Sequence, residues 1–193
     1  LGSDIDGEAA CDRFGGEVSL NSDGDRVAIG AWGNDDGPGD DAGHVRVYEY
    51  SSSSWSQLGS DIDGEAAGDY FGTSVSMNSD GDRVAIGATY NDGTSGDSDD
   101  NRGHVRVYAY SSGSWTQLGS DIDGEAAADY SGNVSMNSDG DRVAIGAPRN
   151  DGTASSAGHV RVYEYSSGSW TQLGSDIDGE AAGDRSGYSV SMD

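Results

Sequence analysis

The side chains best suited to chemistry in this chain are acids, and many sit in one recurring phrase. Asp61, Asp63, Glu65 and Asp69 fall within DIDGEAAGD, and Asp92, Asp97, Asp99 and Asp100 follow in the next variable stretch. Carboxylates in a glycine-containing loop can gather calcium, which takes six to eight oxygens. The phrase lacks a third aspartate at the usual spacing, so it reads first as a solvated acidic loop. His44, His104 and His159 each open the same phrase, HVRVY. Their repetition at one position points to packing or capping against the adjacent loop, since metal ligation needs further donors converging on them. Trp55, Trp115 and Trp170 could form a row for stacking sugars, but one fixed strand position points to packing between sheets.

Catalysis finds little support. Paired carboxylates abound, yet nothing separates their surroundings into an acid and a base. There is no G-x-S-x-G nucleophile motif and no phosphate-cradling loop. The expectation is therefore a protein that is not an enzyme, with no catalytic residue, cofactor-binding residue or committed metal ligand. Cys11 is the sole cysteine, so no internal disulfide can form. Its counterparts are Gly68, Ala128 and Gly183, which makes it a small residue at a small-residue site. Asn133-Val134-Ser135 is an N-glycosylation sequon, for which chance is the simplest source.

What must position these residues is a repeat. QLGSDIDGEAA at 57–67 returns at 117–127 and 172–182, and the chain opens on the same phrase without its Gln. Self-similarity at a near-constant period makes residues 1–193 one array, with repeats 1–57, 58–117, 118–172 and a partial 173–193. In the second repeat the apolar residues gather into short β-like runs: Ser74–Met77, Arg83–Ala88, His104–Tyr110 and Trp115–Leu118. NSDGD joins the first two as a hairpin turn, because Gly accepts positive φ freely. In the third run Val105 and Val107 share one face, and Arg106, Tyr108 and Tyr110 the other. Helical periodicity is absent. Four antiparallel strands per unit are only marginally stable until neighbours cover both faces. The expected fold is all-β, a β-propeller-type array of four-stranded antiparallel blades, with an open β-solenoid as the alternative.

Charge narrows the partners. The net charge is −25, and all ten basic residues are Arg. Such a field repels nucleic acid and anionic membrane. No apolar run reaches membrane-spanning length. Leu1 is not an initiator Met, so the chain is either processed or cut from something longer. Up-and-down strand order puts DIDGEAAGD and the variable second-to-third loops at one end, the natural working face.

The run Phe71-Gly72 … Val84-Ala85-Ile86-Gly87-Ala88 resembles the FG-GAP repeat of integrin-alpha-type β-propellers, one unit per period. The first unit has Phe14-Gly15 and Gly30-Ala31, the third has Ser131 in place of the Phe, and the partial fourth has Ser186-Gly187. The longer form resembles repeats of secreted or surface proteins, often from marine microbes. The resemblance implies an extracellular or cell-surface location. It also implies calcium in the first hairpin, on D-x-[DN]-x-D-G-x-x-D. Those positions fall on Ser76, Asn78, Asp80 and Val84, and the first and last ligands are missing here, as at Ser19 and Val27 and at Ser135 and Val143. The NSDGD turns should hold no tightly bound metal. The reading is an extracellular structural or adhesive repeat scaffold, partnered by copies of itself or by further repeats. The alternative is a calcium-dependent module that recognises a surface protein or glycan through its acidic loops.

Overall fold

The computed structural model describes residues 2–93 and 99–193, and among them every regular element is a strand. Asp97 lies outside the described residues. Three sheets follow one another along the chain. The first holds β1 (Glu17–Leu20), β2 (Arg26–Ala31), β3 (His44–Ser51), β4 (Ser54–Gln57) and β5 (Ile62–Asp63). The second holds β6 (Ser74–Met77), β7 (Arg83–Ala88), β8 (His104–Ser111), β9 (Ser114–Gln117) and β10 (Ile122–Asp123). The third holds β11 (Asn133–Met136), β12 (Arg142–Ala147), β13 (His159–Ser166), β14 (Ser169–Gln172) and β15 (Ile177–Asp178).

Each sheet runs first, second, third, fourth strand, with every ladder antiparallel. HVRVY pairs with VAIGA and with SWTQ of its own unit, Val107 opposite Ala85 and Tyr110 opposite Trp115. The parallel stacking of a solenoid is therefore not the fold; the blade is. The fourth strand differs from expectation in one respect. It is broken after Gln117, and Ile122–Asp123 rejoins the edge of β8 opposite Val105 and His104. Part of the acidic phrase thus continues the blade rather than forming an open link.

Both faces of the middle blade are buried because its neighbours cover both. Val45, Val47 and Ile62 of the first blade meet Val75, Met77, Val84 and Ile86 of the second, with Tyr108 and Trp115 closing the edge. Val105, Val107 and Ile122 on the second blade's other face meet Val134, Met136, Val143 and Ile145 of the third. The alternation read along β8 is this division between two junctions.

The FG and GA glycines explain each other. A Cβ on Gly87 would lie 1.9 Å from the carbonyl oxygen of Gly132, and one on Gly30 would lie 2.3 Å from that of Gly72. No side chain fits there. The GA glycine of one blade thus receives the backbone of the FG turn that opens the next. Phe71 seats that turn, fully buried and edge-on to Tyr108.

Candidate functional site

Successive blades are pinned together by polar contacts that repeat at each junction. Trp115 donates its indole N–H to the Leu58 carbonyl at 2.7 Å, and Trp170 to that of Leu118 at 2.8 Å. The glycine after each leucine leaves room for the ring, since a Cβ on Gly59 would sit 2.9 Å from Trp115. The tryptophans therefore pack between sheets, and the invariant LGS is the shelf they rest on. At the hairpin end, the Ser76 hydroxyl accepts the Met136 N–H at 2.9 Å, and Ser19 accepts that of Met77 at 2.9 Å. Arg83 adds a bond to the Gly140 carbonyl at 2.9 Å.

The calcium implied by the family resemblance does not fit these hairpins. Ser76 is committed to the next blade, and Val84 is completely buried in the core. The Asn78 side-chain oxygen, Oδ1, accepts the backbone N–H groups of Asp82 and Arg83 at 3.1 and 2.9 Å. The turn is closed by its own backbone, and its donor set offers a cation too few oxygens.

The other end carries the acids, and most are engaged. Arg106 grips Asp121 with two bonds of 2.9 and 2.8 Å and also reaches Glu65 from the preceding link. Arg46 does the same with Asp61 and Glu8, and Arg161 with Asp176 and Glu125. Gln117 further binds Asp121 at 2.6 Å. Burial alone would raise the Asp121 pKa, but Arg106 and Gln117 outweigh it and hold the carboxyl below its usual range. Arg161 holds Asp176 down to about 2. Asp69 is buried, accepting the Ala66 N–H at 3.2 Å and the Asn91 amide at 2.9 Å. Its pKa is raised, chiefly by that burial. Asp100 is buried against Arg102, and Asp92 accepts the Asn101 N–H at 2.9 Å.

The histidines sit at the same junctions. His44, His104 and His159 are buried, and the Nδ1 of each lacks a hydrogen bond. His104 Nδ1 lies 3.6 Å from Glu65 and 4.0 Å from Asp121. Burial, then the neighbouring Arg106, pushes its pKa down to about 4, so the ring is neutral at pH 7. Among the described residues, Glu8/His44/Asp61, Glu65/His104/Asp121 and Glu125/His159/Asp176 bring donor atoms within 4.8 Å of one another. Such a trio could hold a metal, although an arginine lies between the same carboxylates in each. Packing against the loop is what the sequence led one to expect of these histidines. The adjoining carboxylate pair, drawn from two blades, was not visible in the spacing.

Cys11 is exposed with φ of 79°, and Gly68, Ala128 and Gly183 share that left-handed backbone, which favours small residues. Asn133 spends its side-chain amide on the Gly187 carbonyl at 3.1 Å.

Sequence reading missed one feature of the loop end. Arg13, Trp32, Tyr70, Tyr90, Tyr130 and Arg149 form an unbroken line across three blades. The Arg13 guanidinium lies 5.3 Å from the Trp32 ring centre. Ring centres then step 5.5 Å to Tyr70, 4.9 Å to Tyr90 and 5.2 Å to Tyr130. Arg149 closes the line 4.3 Å over Tyr130. Trp32, Tyr70, Thr73 and Tyr90 line an open groove of about 370 Å³. The signal lay in two places of each repeat, just after the aspartate that follows GEAA and one further residue, and one or two residues after GA, where aromatic residues or Arg fill the row.

Comparison with known proteins agrees with this architecture. Residues 5–48 and 61–108 match the family model of the FG-GAP repeat. No curated protein matches the chain. Among solved structures, it is similar to a candidate 6-phosphogluconolactonase of Bacteroides fragilis, with 13% identity and a TM-score of 0.56 over 83% of this chain and 38% of that one. A second candidate 6-phosphogluconolactonase, from Bacteroides uniformis, gives 11% and 0.56 over 83% and 39%. Sqt1 of Saccharomyces cerevisiae gives 15% and 0.51 over 85% and 36%. The chain thus spans under two fifths of the length of these proteins, and at such identities the likeness concerns the fold alone. No helix among the described residues is long and apolar enough to cross a membrane. The chain is a repeat protein with a β-propeller-type array of blades, and its residues 5–48 and 61–108 are similar to the FG-GAP repeat.

Proposed function

We propose that this chain is an extracellular, non-enzymatic scaffold or adhesive module, built to continue edge to edge with further blades of its own kind. The observation that carries this reading is the state of the two outer faces. Val18 and Leu20 are 57% exposed, whereas their counterparts Val75 and Met77 are 7% exposed. At the opposite face Ile177 is 59% exposed, against 4% for Ile62 and 6% for Ile122. Each outer face therefore repeats one half of an interior junction, and the two halves complement each other. Covering those three side chains would contribute about 1 kcal/mol each, before the polar staples are added. Contact of this head-to-tail kind closes into a ring or runs on as a filament.

The extracellular placement rests on the FG-GAP repeats and on a strongly acidic, lysine-free surface suited to solubility. The absence of an enzymatic role rests on the commitment of the acids: the carboxylates best placed for chemistry are tied to arginines and backbone N–H groups. Electron micrographs of the purified chain test the reading. Rings or rows with a blade-sized repeat support it, and particles the size of one chain at every concentration contradict it.

A further inference from the structure

The aromatic row on the loop end is not part of the packing that recurs unchanged in every blade. The residues that build the core and the junctions recur unchanged, as VAIGA, HVRVY and the strand-four Trp show. Within the row the composition varies instead. The place after Asp12, Asp69, Asp129 and Asp184 holds Arg13, Tyr70, Tyr130 and Arg185, all with the same left-handed backbone, at φ 60°, 54°, 53° and 54°. The scaffold fixes that turn with either side chain, so its backbone does not dictate Tyr in the middle and Arg at the ends. Tyr90 is 42% exposed, a large apolar ring left in water beside a groove that Trp32, Tyr70 and Thr73 complete.

We propose that this row is a binding platform for an uncharged oligosaccharide laid across the blades. The C–H faces of successive sugar rings stack on Trp32, Tyr70 and Tyr90, and their hydroxyls bond to the polar groups along the rim. The ligand class follows from three features. Aromatic rings with a polar handle provide apolar contact and hydrogen bonding from one side chain. Thr73 and the Asp41 carboxylate beside Tyr70 add further acceptors along the rim. A net charge of −25 repels anionic chains. The two end rings already carry guanidinium groups, Arg13 over Trp32 and Arg149 over Tyr130, so the attraction of the row for a cation is partly satisfied from within. The open middle is what remains for an uncharged partner. This inference does not depend on how the outer faces assemble.

The test is titration calorimetry of the 193-residue chain with neutral hexasaccharides of glucan, xylan, mannan and chitin type, beside heparin hexasaccharide and hexalysine. Binding of at least one neutral hexasaccharide, weakened tenfold or more by Tyr90→Ala and by Trp32→Ala, is expected. Tyr90→Phe should lose less than Tyr90→Ala, and both variants should retain the parent's melting temperature within a few degrees. No binding to any neutral hexasaccharide overturns the proposal, as does binding that both alanine variants leave intact. Preference for hexalysine would assign the row to a basic partner, and preference for heparin to an anionic one. Either overturns it as well.

Discussion

The Ser76 hydroxyl accepts the backbone N–H of Met136 at 2.9 Å, across the junction between the second and third blades. Ser19 serves Met77 and Ser135 serves Met192 in the same way. The position that opens a calcium loop in the FG-GAP resemblance is here a staple between blades. The position that closes that loop is a core valine, Val84. One substitution pattern thus exchanges an ion-held hairpin for one held by its neighbour.

Ser76→Ala removes that acceptor and leaves a buried N–H unpaired. It should cost about 1–2 kcal/mol, lowering the melting temperature by about 3–6 °C for a chain of this size. Ser76→Thr, which keeps the hydroxyl, should recover most of the loss. Thermal unfolding of the two variants checks this, and an unchanged midpoint for the alanine variant contradicts it.

Trp115 combines ring packing with its bond to the Leu58 carbonyl. Trp115→Phe should lose about 1–2 kcal/mol, for the missing N–H and the carbonyl it leaves behind. Trp115→Ala should lose about 3–5 kcal/mol, because a cavity opens at the junction. Denaturant melts separate the two outcomes; equal losses would mean that the ring packing carries nothing beyond the hydrogen bond.

Arg106 stands between Asp121 and Glu65, which come from different repeats. Arg106→Met should destabilise by about 2 kcal/mol, less than a fully buried pair would lose because Glu65 is partly solvated. Adding Asp121→Asn should restore part of that stability, since an unpaired carboxylate is worse than none. A double-mutant cycle without coupling would remove the ion network from the account.

Acid should weaken the fold before the carboxylates titrate. Folded His104 resists protonation until about pH 4, while an unfolded imidazole takes a proton near 6.5. The unfolded state therefore binds more protons in that interval, and stability falls as pH drops from about 6.5 towards 4. His44 and His159 are lowered in the same direction, by burial and then by Arg46 and Arg161 respectively. Asp69 and Asp123, raised chiefly by burial, act oppositely and return stability as pH falls through the upper carboxylate range. Denaturation midpoints between pH 7 and 5 should decline, with a shallower slope for His104→Gln. A flat profile, or one unaffected by that substitution, contradicts the assignment.

Much of the blade was legible because its signals are local. The Asp-Gly turn fixes a hairpin, and the alternation in HVRVY marks a strand covered on two sides. The return of Ile122 to the edge of β8 was not legible, since two residues leave no periodic trace. The fate of the acids was hidden for a different reason. Glu65 meets an arginine 41 residues later, a distance that the stacking of blades closes, and Asp121 one 15 residues earlier, brought there by the return of β10 to the edge of β8. The aromatic row was missed because its members occupy the least repetitive positions, whereas the conspicuous tryptophans proved to be junction residues.

Sedimentation velocity of the 193-residue chain over a wide concentration range shows whether its outer faces are halves of a junction. Association that grows with concentration, and is abolished by Val18→Glu with Leu20→Glu and separately by Ile177→Glu, is the predicted result. A single species at the 19.8 kDa of one chain throughout, unchanged by those substitutions, would contradict it.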